Sequence, residues 1–202
     1  MHYKITHTTG YRYSNPVSVC HNVVMLTPRT TESLQVQSHR LSIRPSPGPK
    51  ADRLDMFGNT ATRFALEQNH SQLTITASSR VTVTPRQLPT TDTSPTCDKI
   101  STSITDRIDP EWLTVVPFLY DSPRVRRSSD FADYATLIME PDRPIVSALT
   151  SLTNRIFPDF KYDTNATKVD TPTKTAFEGR HGVCQDFAHI GVACLTSLGL
   201  PA

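Results

Sequence analysis

The sequence predicts an α+β protein, an N-terminal antiparallel β-sandwich followed by a helical segment. Three observations predict it. Apolar residues recur every second position up to about residue 86, and every third or fourth position beyond it. A stretch rich in Pro, Thr and Ser lies at the change. The last helical pattern opens on a cysteine, in Gly182-Val183-Cys184. The expected organisation is a β-sandwich over 1–88, a linker over 89–110 and a helical part over 111–202.

The strands come first. Tyr3, Ile5 and His7 alternate with Lys4 and Thr6, which gives a strand with one buried face. Leu34 with Val36, Leu41 with Ile43, Leu73 with Ile75, and Val81 with Val83 repeat the pattern. The β-branched runs Thr74-Ile75-Thr76 and Val81-Thr82-Val83-Thr84 favour pleated structure. Asn15-Pro16, the prolines between Pro45 and Pro49, and Gly58-Asn59 read as turns, the last suited to a tight hairpin. From Pro85 to about Asp98 the chain reads as a connector.

Helices follow. Phe131, Tyr134, Ala135 and Ile138 fall on one helical face after Asp130. Ile145, Leu149, Leu152 and Ile156 form a second stripe, opened by Asp142 or Pro144. Thr171 is placed to cap a third helix, with Pro172 at its first position and Gly179 at its end. In the fourth, steps of three and four from Cys184 reach Phe187, Ala188, Gly191, Val192, Leu195 and Leu198. That count sets Cys184 on the buried face and puts Asp186 and His189 together on the opposite one. Gly199 and Pro201 stop the helix.

Composition excludes several functions. The 202 residues carry a net charge of +2 with 37% hydrophobic residues. Arg124, Arg126 and Arg127 make a small basic knot that reads as a solvated loop, so no nucleic-acid partner is expected. No run is long and apolar enough to cross a bilayer, so no membrane partner is expected either. The N-terminus has no apolar leader, and Cys20, Cys97, Cys184 and Cys194 follow no disulfide framework spacing, which together point to a reducing cytoplasm.

Cys184 is the residue with chemistry. A thiol at a helix N-terminus meets the positive end of the macrodipole and unpaired N–H groups, and both favour the nucleophilic thiolate. The opposing reading is a cysteine that merely fills a core, as Cys194 is expected to do. His181, three residues before Cys184, has nothing to orient it as a base, and His189 is turned away. His181, Cys184, His189 and Cys194 have zinc-compatible side chains but poor spacing for one ion, and no metal or other cofactor is expected. Trp112 and Tyr162 read as packing aromatics.

The run Arg180-His181-Gly182-Val183-Cys184-Gln185-Asp186-Phe187-Ala188-His189, followed by Cys194-Leu195 and Ser197-Leu198-Gly199-Leu200-Pro201-Ala202, closely resembles the active-site helix of bacterial transglutaminase-like proteins. Tyr3-Lys4-Ile5-Thr6-His7, Tyr11-Arg12-Tyr13, Leu26-Thr27-Pro28-Arg29 and Phe57-Gly58-Asn59 resemble the β-domain that precedes that core. The resemblance implies that 111–202 is the helical first half of a papain-like core. It also implies that Cys184 is the nucleophile of a Cys-His-Asp triad acting on amides of a protein or peptide, and the helix N-terminus offers the Cys184 N–H to the oxyanion. The family's His and Asp lie on strands after this helix, and the sequence stops at Ala202. The expectation is therefore a chain truncated after the nucleophile helix and nearly inert alone, hydrolysis being favoured over crosslinking to an amine. An exposed face of the incomplete core would invite self-association. The alternative is a non-catalytic binding or scaffold protein that works through its β-sandwich.

Overall fold

The structure, a computed structural model, describes residues 1–85, 92–106 and 112–202, the side chain of Trp112 excepted. Contacts divide the chain into two units, Met1–Leu88 and Pro89–Ala202.

The first unit is two antiparallel sheets of three strands. One has the order β1 (His2–Val17), β6 (His70–Val83), β3 (Leu34–Arg44); the other has β2 (Cys20–Val24), β5 (Thr60–Leu66), β4 (Ala51–Leu54). The alternation read from sequence sets the faces. Leu73, Ile75, Ala77 and Val81 of β6 are buried, and the last three pair across β3 with Ile43, Leu41 and Val36. Ile43, Leu73 and Ile75 from one sheet meet Phe64 and Leu66 from the other, and Leu66 is fully buried. Each such side chain contributes about 1.5–3 kcal/mol on leaving water. The β4–β5 hairpin closes at the Gly-Asn pair. Gly58 takes φ 78°, and the Asp55 carboxylate accepts from the N–H groups of Phe57 and Asn59 at 2.9 and 2.8 Å. These bonds hold the Asp55 carboxyl below the usual carboxylate range.

The second unit begins inside the stretch expected to be a linker. Within 89–110, Cys97–Thr105 forms helix α1, capped by Thr96, and Cys97 is buried in the core. Residues 89–91 and 107–110 lie outside the described residues. The short helix α2 (Trp112–Val115) and a 3-10 turn (Val116–Leu119) follow, then α3 (Ser129–Thr136) and α4 (Ile145–Asp159). Composition misled because the polar groups of 92–95 are engaged rather than free. They cap α4, whose first three N–H groups would otherwise have no acceptor. Ile145 N–H donates to the Pro95 carbonyl at 2.9 Å, Val146 N–H to Ser94 Oγ at 3.2 Å, and Ser147 N–H to Asp92 Oδ2 at 2.7 Å.

Strand β7 (Lys161–Tyr162) pairs in parallel with β8 (His181–Gly182), and between them lies α5 (Thr173–Gly179). Gly179 stays helical, and Arg180 takes the left-handed position, φ 55°, that a glycine usually fills at a helix end. Its guanidinium lies over the rings of Tyr134, Phe160 and Phe177, 5.2, 4.9 and 4.6 Å from their centres. Such contacts, at about 0.5–1 kcal/mol each, offset a left-handed cost of about 1–2 kcal/mol. The last helix, α6 (Cys184–Ser197), crosses the unit, and Phe131, Tyr134 and Ala135 of α3 share a core with its Ile190, Ala193 and Cys194.

Candidate active site around Cys184

Three pieces of chain build the turn that carries the thiol: the β7–β8 pair, the loop 163–171 and the first turn of α6. Val183, extended at φ −115° and ψ 178°, caps the helix and leaves Cys184 at its first position. The Cys184 side chain is exposed. The first bond of the helical ladder runs from Phe187 N–H to the Val183 carbonyl, so the amides of Cys184, Gln185 and Asp186 precede the ladder.

Asp186 governs this geometry, and it is not where the helical count put it. It is 2% exposed. Its Oδ2 accepts from Val183 N–H at 2.8 Å and from the Thr167 hydroxyl at 2.6 Å. The carboxylate therefore caps its own helix and ties it to the loop, and His189, half-buried, is not its partner. The same contact explains Gly182. A Cβ there would lie 2.6 Å from Asp186 Oδ2, so only glycine lets β8 pass the carboxylate.

This anchor turns the helix relative to the sequence expectation. Its buried line is Asp186, Ile190, Ala193 and Cys194, whereas Cys184 and Ala188 are exposed and Phe187, Gly191, Val192, Leu195 and Leu198 are half-buried. Cys184 thus stands on the open side of the helix start rather than at the head of its buried face. Counting apolar residues assigned an acidic residue to solvent. Thr167, nineteen positions away, supplies the bond that brings it in.

The loop is fastened on both sides. Asp163 N–H donates to the Gly182 carbonyl at 2.9 Å, and Gln185 Nε2 reaches the Val169 carbonyl at 3.4 Å. Phe187 packs beside Phe160 and Tyr162, with ring centres 5.9 and 6.4 Å away. Tyr162 itself is 60% exposed rather than a core aromatic.

Of the other residues considered for chemistry, His181 donates Nδ1–H to the Gly179 carbonyl. Cys194 is fully buried, and burial pushes its thiol up to about 12. Cys97 is pushed up by burial as well. His181, Cys184, His189 and Cys194 do not gather, and no cluster of metal-ligating side chains occurs among the described residues. Sequence reasoning missed Thr167, whose only signal was its place in a polar loop. The chemistry on offer is one accessible thiol, at the start of a helix, with unladdered amides beside it.

The chain is similar to known proteins. Residues 3–82 match the family described as the bacterial transglutaminase-like N-terminal region, and 132–202 match the transglutaminase-like superfamily. An uncharacterized protein of Mycobacterium tuberculosis is 32% identical over 99% of this chain and 63% of its own length. One from Mycobacterium leprae is 29% identical over 98% of this chain and 67% of its own length. The chain therefore spans about 63% of the length of the first of these relatives. A solved structure named as a "Putative Cysteine Protease", from Cytophaga hutchinsonii, superposes over all of this chain and 65% of its own, with a TM-score of 0.71 at 19% identity. That likeness shows the fold. Among the described residues no helix is long and apolar enough to cross a membrane.

Proposed function

We infer that this chain, which belongs to the bacterial transglutaminase-like proteins, carries the nucleophile of a cysteine enzyme acting on amide bonds of a protein or peptide. The observation that carries the reading is the exposed thiol of Cys184 at the first position of α6, held there by the Asp186 anchor. Cys184 Sγ attacks the amide carbonyl carbon, and the oxyanion that forms is met by N–H groups at the helix start. The C–N bond then breaks, the amine leaves with a proton, and a thioester remains on Cys184. Water hydrolyses it, returning the thiol and a carboxylate. We favour water over an amine as acceptor because no feature among the described residues selects an amine.

The resemblance supplies a His to take the thiol proton and an Asp to orient that His. We assign both to the longer protein that the relatives represent, since His181 is engaged with Gly179 and His189 does not share a bond with Asp186. The 202 residues alone should accept an acyl group from an activated ester and turn over amides little, because loss of triad members costs orders of magnitude. Four unpaired cysteines support a reducing compartment, the cytoplasm. The chemistry uses no cofactor.

The test is acylation of the whole chain with a p-nitrophenyl ester of a blocked amino acid, followed by peptide mapping. The acyl group should sit on Cys184 and be absent in Cys184→Ala, with Cys97 and Cys194 untouched in the native protein. Acylation that persists in Cys184→Ala would refute the reading. A chain that takes no acyl group would instead be a binding or scaffold protein working through its β-sandwich.

A further inference from the structure

The outer face of the β1–β6–β3 sheet has a composition that neither the core nor the thiol explains. In an antiparallel sheet, cross-strand partners point to the same side. The odd-numbered residues of β6 from Leu73 to Val81 are buried, so the even-numbered ones and their partners face outward. Row by row these are Lys4, Arg80 and Ser38; Thr6, Ser78 and Arg40; Thr8, Thr76 and Ser42; Gly10, Thr74 and Arg44; and Arg12 with Gln72.

Five cations, Lys4, Arg12, Arg40, Arg44 and Arg80, therefore share one face, and all five are exposed. The first unit has four acidic residues, Glu32, Asp52, Asp55 and Glu67, and none lies on these three strands. Among the described residues none of the five cations forms an ion pair. Lys4 and Arg80 stand directly opposite each other, an arrangement that weakens a sheet. Apart from Gly10, and His2 at its end, the rest of the face is hydroxyl and amide groups, with Thr8 and Thr76 bonded to each other at 3.1 Å. No Phe, Tyr or Trp joins it, since Tyr3 and Tyr11 pair with Val81 and Leu73 on the opposite side.

We propose that this face binds an acidic polypeptide segment in extended conformation. From Lys4 to Arg12 the stripe runs about 27 Å, and its rows repeat about every 6.8 Å. Alternate side chains of an extended peptide repeat at the same interval, so Asp or Glu at every second position meets successive rows. Arginine forks carboxylates with two hydrogen bonds, and the intervening Thr and Ser hydroxyls donate further ones. A single-stranded nucleic acid would call for aromatic stacking platforms, which this face lacks.

Binding of labelled poly-L-glutamate to the full 202-residue chain, followed by fluorescence anisotropy, tests the proposal. The native chain should bind, more weakly as salt rises. A triple variant, Arg40→Ser, Arg44→Ser and Arg80→Ser, should lose about tenfold or more while keeping its thermal melt. A control that removes the same charge elsewhere in the first unit, Arg29→Ser, Arg53→Ser and Arg63→Ser, should bind as the native chain does. Equal loss in both variants would reduce the effect to net charge and overturn the proposal. So would absence of binding, or tighter binding of an oligodeoxynucleotide of equal charge through the same three arginines. Cys184 takes no part in the measurement, so either result leaves the thiol chemistry to its own test.

Discussion

Asp186 is the residue on which the thiol's position depends. Its carboxylate satisfies a backbone N–H and a hydroxyl, and a charged acceptor makes both bonds stronger than neutral ones. Asp186→Ala leaves Val183 N–H and Thr167 without their acceptor and should cost about 2 kcal/mol. Thr167→Val should cost about 1 kcal/mol. Because the two side chains share one bond, the double variant should lose less than the sum, by about 1 kcal/mol in a urea-melt cycle. Strict additivity would mean that the loop is held by something else. At this scale the sequence was half legible. The order Gly182, Cys184, Asp186 showed a helix start with a thiol, and the nucleophile role of that thiol stays a proposal that rests on resemblance. The burial of Asp186 was hidden because an acidic residue in a first turn already has a sufficient local role against the helix dipole. Only Thr167, remote in sequence, changes that.

Among the elements, α4 owes its start to a segment outside it. The Asp92 carboxylate accepts from the Ser147 and Ser94 hydroxyls and from both backbone N–H groups, and the hydroxyl bonds, first among these, hold its carboxyl down to about 2. An unfolded Asp titrates near 3.9. The cap therefore contributes its full stability above about pH 4 and loses it as the pH falls toward 2. Thermal melts taken from pH 5 to pH 2 should decline more steeply for the native chain than for Asp92→Asn. Parallel slopes would remove Asp92 from the account. The helices α3 and α4 were readable because their apolar periods coincide with their buried faces, as with Phe131, Tyr134 and Ala135. The two-residue strands β7 and β8 were not, since a pair so short leaves no alternation to count. Segment 92–95 was misread because Pro, Thr and Ser describe a solvated linker and a helix cap equally well.

For the whole molecule, charge is divided unequally between the units. The first has ten Lys and Arg against four Asp and Glu, whereas the second has eleven against fifteen. A modest net charge of +2 thus conceals a basic sandwich and an acidic helical unit. Apolar exposure is also uneven. In the second unit Leu137, Phe157 and Val169 are 77%, 85% and 72% exposed, and Phe187, Val192 and Leu195 are only partly covered. Light scattering over a concentration series should accordingly show self-association above the 22.5 kDa of one chain. A single species of that mass at every concentration would count against it. The strap formed by 92–95 has a further consequence for anyone who would isolate the thiol-bearing unit. A cut placed at the 111 boundary would discard α1 and strip α4 of its acceptors, and the shortened piece would be judged unstable for reasons unrelated to its chemistry. A minimal thiol-bearing polypeptide has to begin before Asp92.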